Sequence, residues 1–198
     1  MPDALLTRAS LLVRLRDPQD RPAWEQFVEL YGSVVYRFVR RRGLQDADAA
    51  DLTQEVLQAV AQSMGRWQYD PAQGTFRGWL FGMTRHKIAH FLQRRQRQAI
   101  GSGDTGANQR LGEAPCPEGD GESTWDQEYQ EQLFRLAAEH VRPSFAPATW
   151  QAFWMTAVEG KSAAEVGSAL GLSVGAVYVA KSRVLARLAE RVQELQAE

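Results

Sequence analysis

Residues 74–97, GTFRGWLFGMTRHKIAHFLQRRQR, combine aromatic and aliphatic side chains with a cluster of cations, and the segment contains no carboxylate. Three arginines, Arg94, Arg95 and Arg97, stand near its end. Guanidinium groups bind phosphates through charge-assisted hydrogen bonds, and aromatic rings stack on nucleic-acid bases. The residue types therefore predict a surface that holds a negatively charged partner.

Wound as a helix at about 100° per residue, this segment separates into a packing side and an exposed side. The packing side holds Leu80, Phe81, Thr84, Ile88, Phe91 and Leu92. The exposed side, which we predict to face DNA, holds Trp79, Met83, His86, Lys87, His90, Arg94 and Arg97. The alternative is a half-buried core helix with a solvated basic end.

Residues 51–60, DLTQEVLQAV, carry a second kind of polar surface. Side chains three or four residues apart lie on one face of a helix, here opposite Leu52 and Val56. Carboxylates accept hydrogen bonds from arginines, and amides both donate and accept, which suits a polar, rigid docking surface. The residues on this face are Asp51, Gln54, Glu55 and Gln58. An ordinary solvated helix face is the alternative.

The C-terminal third of the chain has helix-turn-helix spacing. Ser162 and Glu165 form a capping box, Gly171 ends the first helix, and Ser173 caps the second. The second helix would enter a major groove with its N-terminal part nearest the base edges. The residues predicted to contact DNA are Ser173, Gly175, Ala176, Val179, Ser182, Arg183 and Arg187. A helical hairpin within some other bundle is the alternative.

No residue pattern predicts catalysis, a metal site or a cofactor. His86 and His90 stand four residues apart, a spacing that can bind a metal, but the sequence places no third ligand near them. Cys116 is the single cysteine, which excludes an intrachain disulfide and a thiolate zinc cluster. We therefore expect a protein that is not an enzyme and that uses no cofactor.

The strong patterns are all helical, so the sequence predicts an all-α protein. A segment rich in Gly, Pro, Ser and acidic residues indicates two small helical domains joined by a flexible acidic linker. The predicted ranges are an N-terminal extension 1–19, a first domain 20–98, a linker 99–125, a second domain 126–192 and a tail 193–198. No apolar run approaches the roughly 20 residues of a membrane span, and we expect a cytoplasmic protein without a signal peptide.

The order of these blocks resembles that of bacterial RNA polymerase sigma factors of the extracytoplasmic-function group. DLTQEVLQAV is similar to the helix with which the family binds the clamp helices of the β′ subunit. FRGWLFGMTRHKIAHFLQRR is similar to its −10 helix, and VEGKSAAEVGSALGLSVGAVYVAKSRVLARL to its −35 reader. The resemblance covers about residues 20–192 and implies a chain made of the second and fourth sigma domains.

This resemblance implies that the protein binds RNA polymerase core, through the β′ clamp helices and the β flap, and directs promoter-specific initiation. The loop before the −10 helix would hold a flipped base, and its candidates are Trp67, Tyr69 and Asp70. Trp79 would wedge the upstream fork, and Met83 and His86 would read the upstream edge of the −10 element. An anti-sigma protein is a further partner that the family allows.

Some positions depart from the family pattern. His86 stands where many relatives have Asn, His90 where they often have Asp, and Tyr178, Val179 and Ala180 replace a more usual Lys-Ser-Arg. These changes fall on the predicted DNA-contacting surfaces, so they bear on which promoter is recognised. The rival functions are a stand-alone helix-turn-helix regulator with a sensing or dimerising N-terminal domain, and a helical protein-interaction module.

Overall fold

The computed structural model describes residues 9–66, 75–101 and 120–197, and these ranges contain eight α-helices and no strand. The predicted all-α fold is confirmed. The helices are α1 Ala9–Arg14, α2 Arg21–Arg41, α3 Asp46–Met64, α4 Phe76–Gly101, α5 Asp120–Val141, α6 Pro147–Ala157, α7 Ala163–Leu170 and α8 Val174–Ala197, with a 3₁₀ turn at Arg142–Ser144.

The chain divides into two compact units between Gln132 and Leu133. Helix α5 therefore supplies its first part to the first unit and its last part to the second. It begins at Asp120, inside the range predicted as linker, and Trp125 is buried. Burial of Trp125 stabilises the first turns of α5, although the amino-acid composition of this segment does not indicate a helix.

Helix α2 is the central element of the first unit. The Asp20 side chain caps it by accepting from the backbone N–H of Ala23 at 3.1 Å, and Gly43 follows its end with φ of +80°. A positive φ favours glycine because it has no Cβ. The buried side of α2 holds Ala23, Phe27, Leu30, Tyr31, Val34, Val35, Phe38 and Val39.

Helix α1 packs on α2 within the range predicted as an N-terminal extension. Leu11, Leu12 and Leu15 are buried, and Arg14 Nε donates to Asp20 Oδ2 at 2.7 Å. The Arg14 guanidinium, with the N–H of Ala23, holds the pKa of Asp20 below its usual range. The carboxylate that caps α2 thus also binds α1.

Helices α3 and α4 pack against each other and complete the helical layer beside α2. Their inward sides bury Leu52, Val56, Val60, Leu80 and Ile88. Two buried threonines satisfy their hydroxyl groups within their own helices: Thr53 donates to the carbonyl of Ala49, and Thr84 to that of Leu80. A buried polar group that is hydrogen-bonded in this way avoids the cost of desolvation.

The first part of α5 packs on the first unit through two aromatic side chains. Trp125 lies 5.4 Å from Phe38 and 5.6 Å from Phe81, measured between ring centroids. Tyr129 stacks on Tyr31 at 5.7 Å. Aromatic pairs at these separations add to the stabilisation from buried area.

A buried carboxylate accompanies these rings. Glu128 is fully buried and accepts from Arg37 Nε at 2.6 Å, while Arg41 forms a second ion pair with it. Gln132 then donates to the carbonyl of Glu29 at 2.9 Å. Residues 120–132 are thus held to α2 by charge and by apolar packing together.

The second unit has two hydrophobic clusters that meet on α6 and α8. One contains Ala137, Ala138, Val141, Trp150, Phe153, Val184 and Leu188, and the other contains Ala152, Val166, Val177 and Ala180. The cluster residues on α8 are Val177, Ala180, Val184 and Leu188, three or four positions apart. One side of this helix is therefore buried in the core. The opposite side is left to solvent.

Replacing Trp125 with alanine tests whether α5 belongs to the core of the first unit. Because the ring is 1% exposed, we expect Trp125→Ala to lower the free energy of unfolding of this unit by about 3–5 kcal/mol. Chemical denaturation followed by circular dichroism measures the change. Trp125→Phe is the control: the indole N–H has no hydrogen-bond partner among the described residues, so keeping an aromatic ring should retain most of the stability. Equal losses for both variants would contradict the packing argument.

Candidate nucleic-acid interface

Helix α4 exposes only part of the side that the sequence predicted to be exposed. His86, His90, Arg94 and Arg97 are exposed, whereas Trp79, Met83 and Lys87 are half-buried. On the packing side Leu80, Thr84 and Ile88 are buried, and Phe81, Phe91 and Leu92 are half-buried. The indole of Trp79 lies 5.4 Å from the ring of Phe76, which fixes it at the start of the helix.

The cations of α4 differ in their surroundings. Lys87 Nζ lies 3.5 Å from Glu55 Oε2, and Arg95 Nη1 lies 2.7 Å from Asp48 Oδ2. Arg94 and Arg97 pair with no carboxylate within the described ranges, and Arg94 lies over the Phe91 ring at 5.6 Å. Arg95 was not among the predicted DNA contacts, and its ion pair with Asp48 orients it toward α3.

The predicted docking face of α3 is largely solvent-facing. Asp51, Gln54 and Gln58 are exposed, opposite the buried Leu52 and Val56. Glu55 is half-buried by its contact with Lys87. The structure therefore brings this acidic face beside the basic side of α4, an arrangement that the sequence alone did not reveal.

The helix-turn-helix has its predicted caps. Ser162 and Glu165 form the reciprocal capping box, in which the N–H of Ser162 donates to Glu165 Oε2 at 2.8 Å. The hydrogen bonds from Ser162 hold the pKa of Glu165 below its usual range, so the box contains a carboxylate at neutral pH. Gly171 ends α7 in the left-handed region with φ of +66°.

A close approach fixes the turn between α7 and α8. A Cβ on Gly167 would lie 2.6 Å from the carbonyl oxygen of Leu172, a separation that only glycine permits. The N–H of Leu172 donates to the carbonyl of Gly167 at 2.9 Å. The two helices are bent by 102°, within the range of helix-turn-helix motifs.

Helix α8 presents most of its predicted residues to solvent. The Ser173 hydroxyl caps it by accepting from the N–H of Ala176 at 3.1 Å. Gly175, Val179, Ser182 and Arg183 are exposed, and Ala176 is half-buried. Arg187 is exposed but pairs with Glu190 at 2.9 Å and Glu194 at 3.6 Å, a contact that its i,i+3 spacing to Glu190 could have indicated.

Some predictions concern residues that the structure does not describe. Trp67, Tyr69, Asp70 and Cys116 lie outside the described residues. Across residues 9–66, 75–101 and 120–197, no group of three or more His, Cys, Asp or Glu side chains could hold a metal ion. In the same ranges no single helix is long and apolar enough to cross a membrane; the bent pair α7 and α8 passes that test by length and composition only.

Comparison with known proteins decides the family. The Sigma-70 region 2 family matches residues 27–98. ECF RNA polymerase sigma factor SigF of Caulobacter vibrioides is 31% identical over 159 residues, which cover 79% of this chain and 77% of that protein. The chain belongs to the family of ECF RNA polymerase sigma factors.

A second relative of this sigma factor is ECF RNA polymerase sigma factor SigE of Mycolicibacterium smegmatis, 29% identical over 161 residues. The match covers 81% of this chain but only 58% of that protein. The solved structure described as "Structure of CnrH in complex with the cytosolic domain of CnrY" overlaps 93% of this chain and 96% of that chain, with 18% identity and a TM-score of 0.37.

Family membership confirms the resemblance to sigma factors that the three sequence blocks indicated. It favours a sigma factor over the two rival functions, a stand-alone helix-turn-helix regulator and a helical protein-interaction module. Residues 27–98 contain both the acidic face of α3 and the basic side of α4. The ion pair between Glu55 and Lys87 joins the two predicted binding surfaces. We therefore expect a partner that binds one surface to change the electrostatics of the other.

Glu55→Gln tests this connection in the sigma factor. Loss of the carboxylate releases Lys87, so we expect the affinity for a non-promoter DNA duplex at low salt to rise about twofold to fivefold, the range of one exposed ion pair. Fluorescence anisotropy measures this affinity. Asp51→Asn is the control, because it removes one charge from the exposed face of the same helix. Equal gains for the two variants would mean that overall charge, and not release of Lys87, is responsible.

Proposed function

We propose that this sigma factor binds RNA polymerase core and directs promoter-specific initiation, with the first unit at the −10 element and the second at the −35 element. The observation that carries this proposal is the arrangement of α3 and α4. One compact unit holds an acidic docking face and an adjacent basic, aromatic side, and a capped helix-turn-helix lies in the other unit. A regulator that binds DNA alone has no need of the docking face.

Asp51, Gln54 and Gln58 of α3 are proposed to bind the β′ clamp helices. Their exposed positions opposite buried Leu52 and Val56 support this role, because a helix fixed on one side loses little entropy when the other side binds. Glu55 shares the face, with part of its charge directed to Lys87. The β flap is the proposed polymerase contact of the second unit.

The basic side of α4 is proposed to hold the −10 region. Lys87, Arg94 and Arg97 would bind phosphates, which position the duplex without specifying its sequence. Trp79 would stack on the end of the upstream duplex, and Met83, His86 and His90 would contact bases. Opening the duplex and flipping a base cost a few kcal/mol, which stacking and a base pocket can offset. Trp67, Tyr69 and Asp70 remain the predicted pocket residues.

Helix α8 is proposed to enter the major groove at the −35 element. The cap at Ser173 and the exposure of Gly175, Val179, Ser182 and Arg183 support this role. The acidic segment between α4 and α5 is proposed to take the path in polymerase later used by RNA. An anti-sigma protein is a further proposed partner, and the cytoplasm is the compartment in which such a function operates.

Run-off transcription with reconstituted holoenzyme tests the whole proposal. Purified RNA polymerase core with this sigma factor should initiate at defined sites on genomic DNA, and core alone should not. Co-purification of the two proteins in equal amounts is the accompanying binding measurement. Failure to initiate on any genomic template, with core that is active with another sigma factor, would overturn the proposal.

Paired variants should separate the two binding surfaces. Arg183→Ala should weaken −35 binding about tenfold, because it removes a charge-assisted contact to DNA, and leave core binding intact. Asp51→Ala with Gln54→Ala should weaken core binding and leave α8 unaffected. Electrophoretic mobility shifts measure the first effect, and titration of labelled core measures the second.

Each variant has a matched control on another helix, at exposed Arg135, exposed Glu25 and half-buried Gln26. Arg135→Ala removes one arginine from α5, and Glu25→Ala with Gln26→Ala removes an acid and an amide from α2. Neither control should change the corresponding affinity. A control that behaves like its test variant would show that net charge, and not a defined surface, governs binding.

A further inference from the structure

The first two turns of α8 expose three large apolar side chains. Val174 is 47% exposed, Tyr178 62% and Val179 49%. The same helix buries Val177, Val184 and Leu188, so its apolar residues are not confined to the core side. We call Val174, Tyr178 and Val179 the apolar surface of α8. Exposed apolar residues grouped in this way indicate a binding surface.

This surface has few groups that can hydrogen-bond to a base. Residues 173–180 contain no Asn, Gln, Arg, Lys, Asp or Glu, which are the side chains that form the strongest base contacts. The Ser173 hydroxyl already accepts the capping bond from Ala176. The phenol of Tyr178 is the main polar group that remains. Direct hydrogen-bond readout is therefore weak at the N-terminal end of α8.

Gly175 lies within the same two turns, and the fold does not require it. A Cβ at this position would meet nothing closer than Ser173 Oγ at 4.0 Å, and its φ lies outside the left-handed region. Glycine in a helix costs about 1 kcal/mol relative to alanine. Removal of a side chain from an exposed reading position lets the backbone approach a ligand closely.

We propose that the apolar surface of α8 recognises the C5-methyl groups of thymines in the −35 element. This inference rests on the proposed function. Thymine is the base that presents an apolar group in the major groove, and apolar side chains contact it there. Val179 is the principal contact, since it lies one turn beyond Gly175 where close approach is possible.

The surrounding charge identifies DNA, and not an apolar protein surface, as the occupant. Lys181 and Arg183 follow within one turn, and neither forms an ion pair with another described residue. Cations beside an apolar reading surface match the phosphates that flank the major groove. The apolar surface thus supplies sequence discrimination, and the two cations supply affinity that does not depend on sequence.

Replacement of thymine by deoxyuridine removes only the methyl group and tests the proposal directly. The probe is a promoter found by run-off transcription, with each −35 thymine replaced in turn, and its affinity for holoenzyme is measured. At the position that contacts Val179 we expect a loss of about fourfold, which corresponds to burial of one methyl group at roughly 0.8 kcal/mol. Holoenzyme with Val179→Ala should bind the thymine and deoxyuridine promoters with about equal affinity. Protein and base changes then form a double-mutant cycle, in which the second change costs nothing once the first has removed the contact.

Val158→Ala is the matched control, because Val158 is a valine of similar exposure, 48%, that precedes α7 and lies outside both helices of the helix-turn-helix. It should keep the fourfold difference. Gly175→Ala should leave the melting temperature unchanged or raise it, yet weaken promoter binding about fivefold or more, since a methyl group is forced into the interface.

The outcomes distinguish this inference from the proposed function. Equal binding of thymine and deoxyuridine by a holoenzyme that initiates correctly would overturn the inference alone. Promoters whose −35 elements lack thymine would do the same, and so would loss of core binding by Val179→Ala, which would assign the surface to polymerase. Absence of core-dependent initiation would overturn the proposed function and this inference with it.

Discussion

The packing of α3 against α4 fixes how the acidic face and the basic side lie relative to each other. Two ion pairs cross this contact, Asp48 with Arg95 and Glu55 with Lys87. The second pair lies about two turns further along α3 and about two turns earlier along α4 than the first. The two pairs therefore fix the antiparallel alignment of the helices at two points. Exposed ion pairs contribute only about 0–1 kcal/mol each, so the buried apolar side chains hold the helices together and the ion pairs specify their alignment.

The attachment of α5 to the first unit depends on a different balance. Burial of the Glu128 carboxylate costs solvation free energy, and Arg37 and Arg41, one turn apart on α2, offset this cost. The Arg41 contact is an ion pair without hydrogen-bond alignment, whereas Arg37 donates properly to the other oxygen. A buried carboxylate tolerates few other positions for its partners, so this cluster specifies where the first part of α5 packs on α2. Trp125 and Tyr129 supply the apolar burial.

Local interactions were predictable from the sequence, and long-range ones were not. The caps at Asp20 and Ser162 and the end of α7 at Gly171 depend on residues within three or four positions, which a sequence displays directly. The hydrogen bond from Arg37 to Glu128 joins residues that are 91 positions apart in the sequence, so no local sequence pattern predicts it.

The distribution of charge explains why recognition should depend on a partner. The chain has a formal net charge of −1, and phosphate neutralisation dominates non-specific DNA binding. Several cations near the predicted DNA surfaces are already paired, Lys87 and Arg95 with α3 and Arg187 with acids on α8 itself. We therefore expect the protein to bind non-specific DNA weakly in the absence of polymerase. In the proposed complex, polymerase would hold both units on one promoter and so raise the effective concentration of each reading helix. The proposed apolar surface of α8 would then add discrimination without adding non-specific attraction.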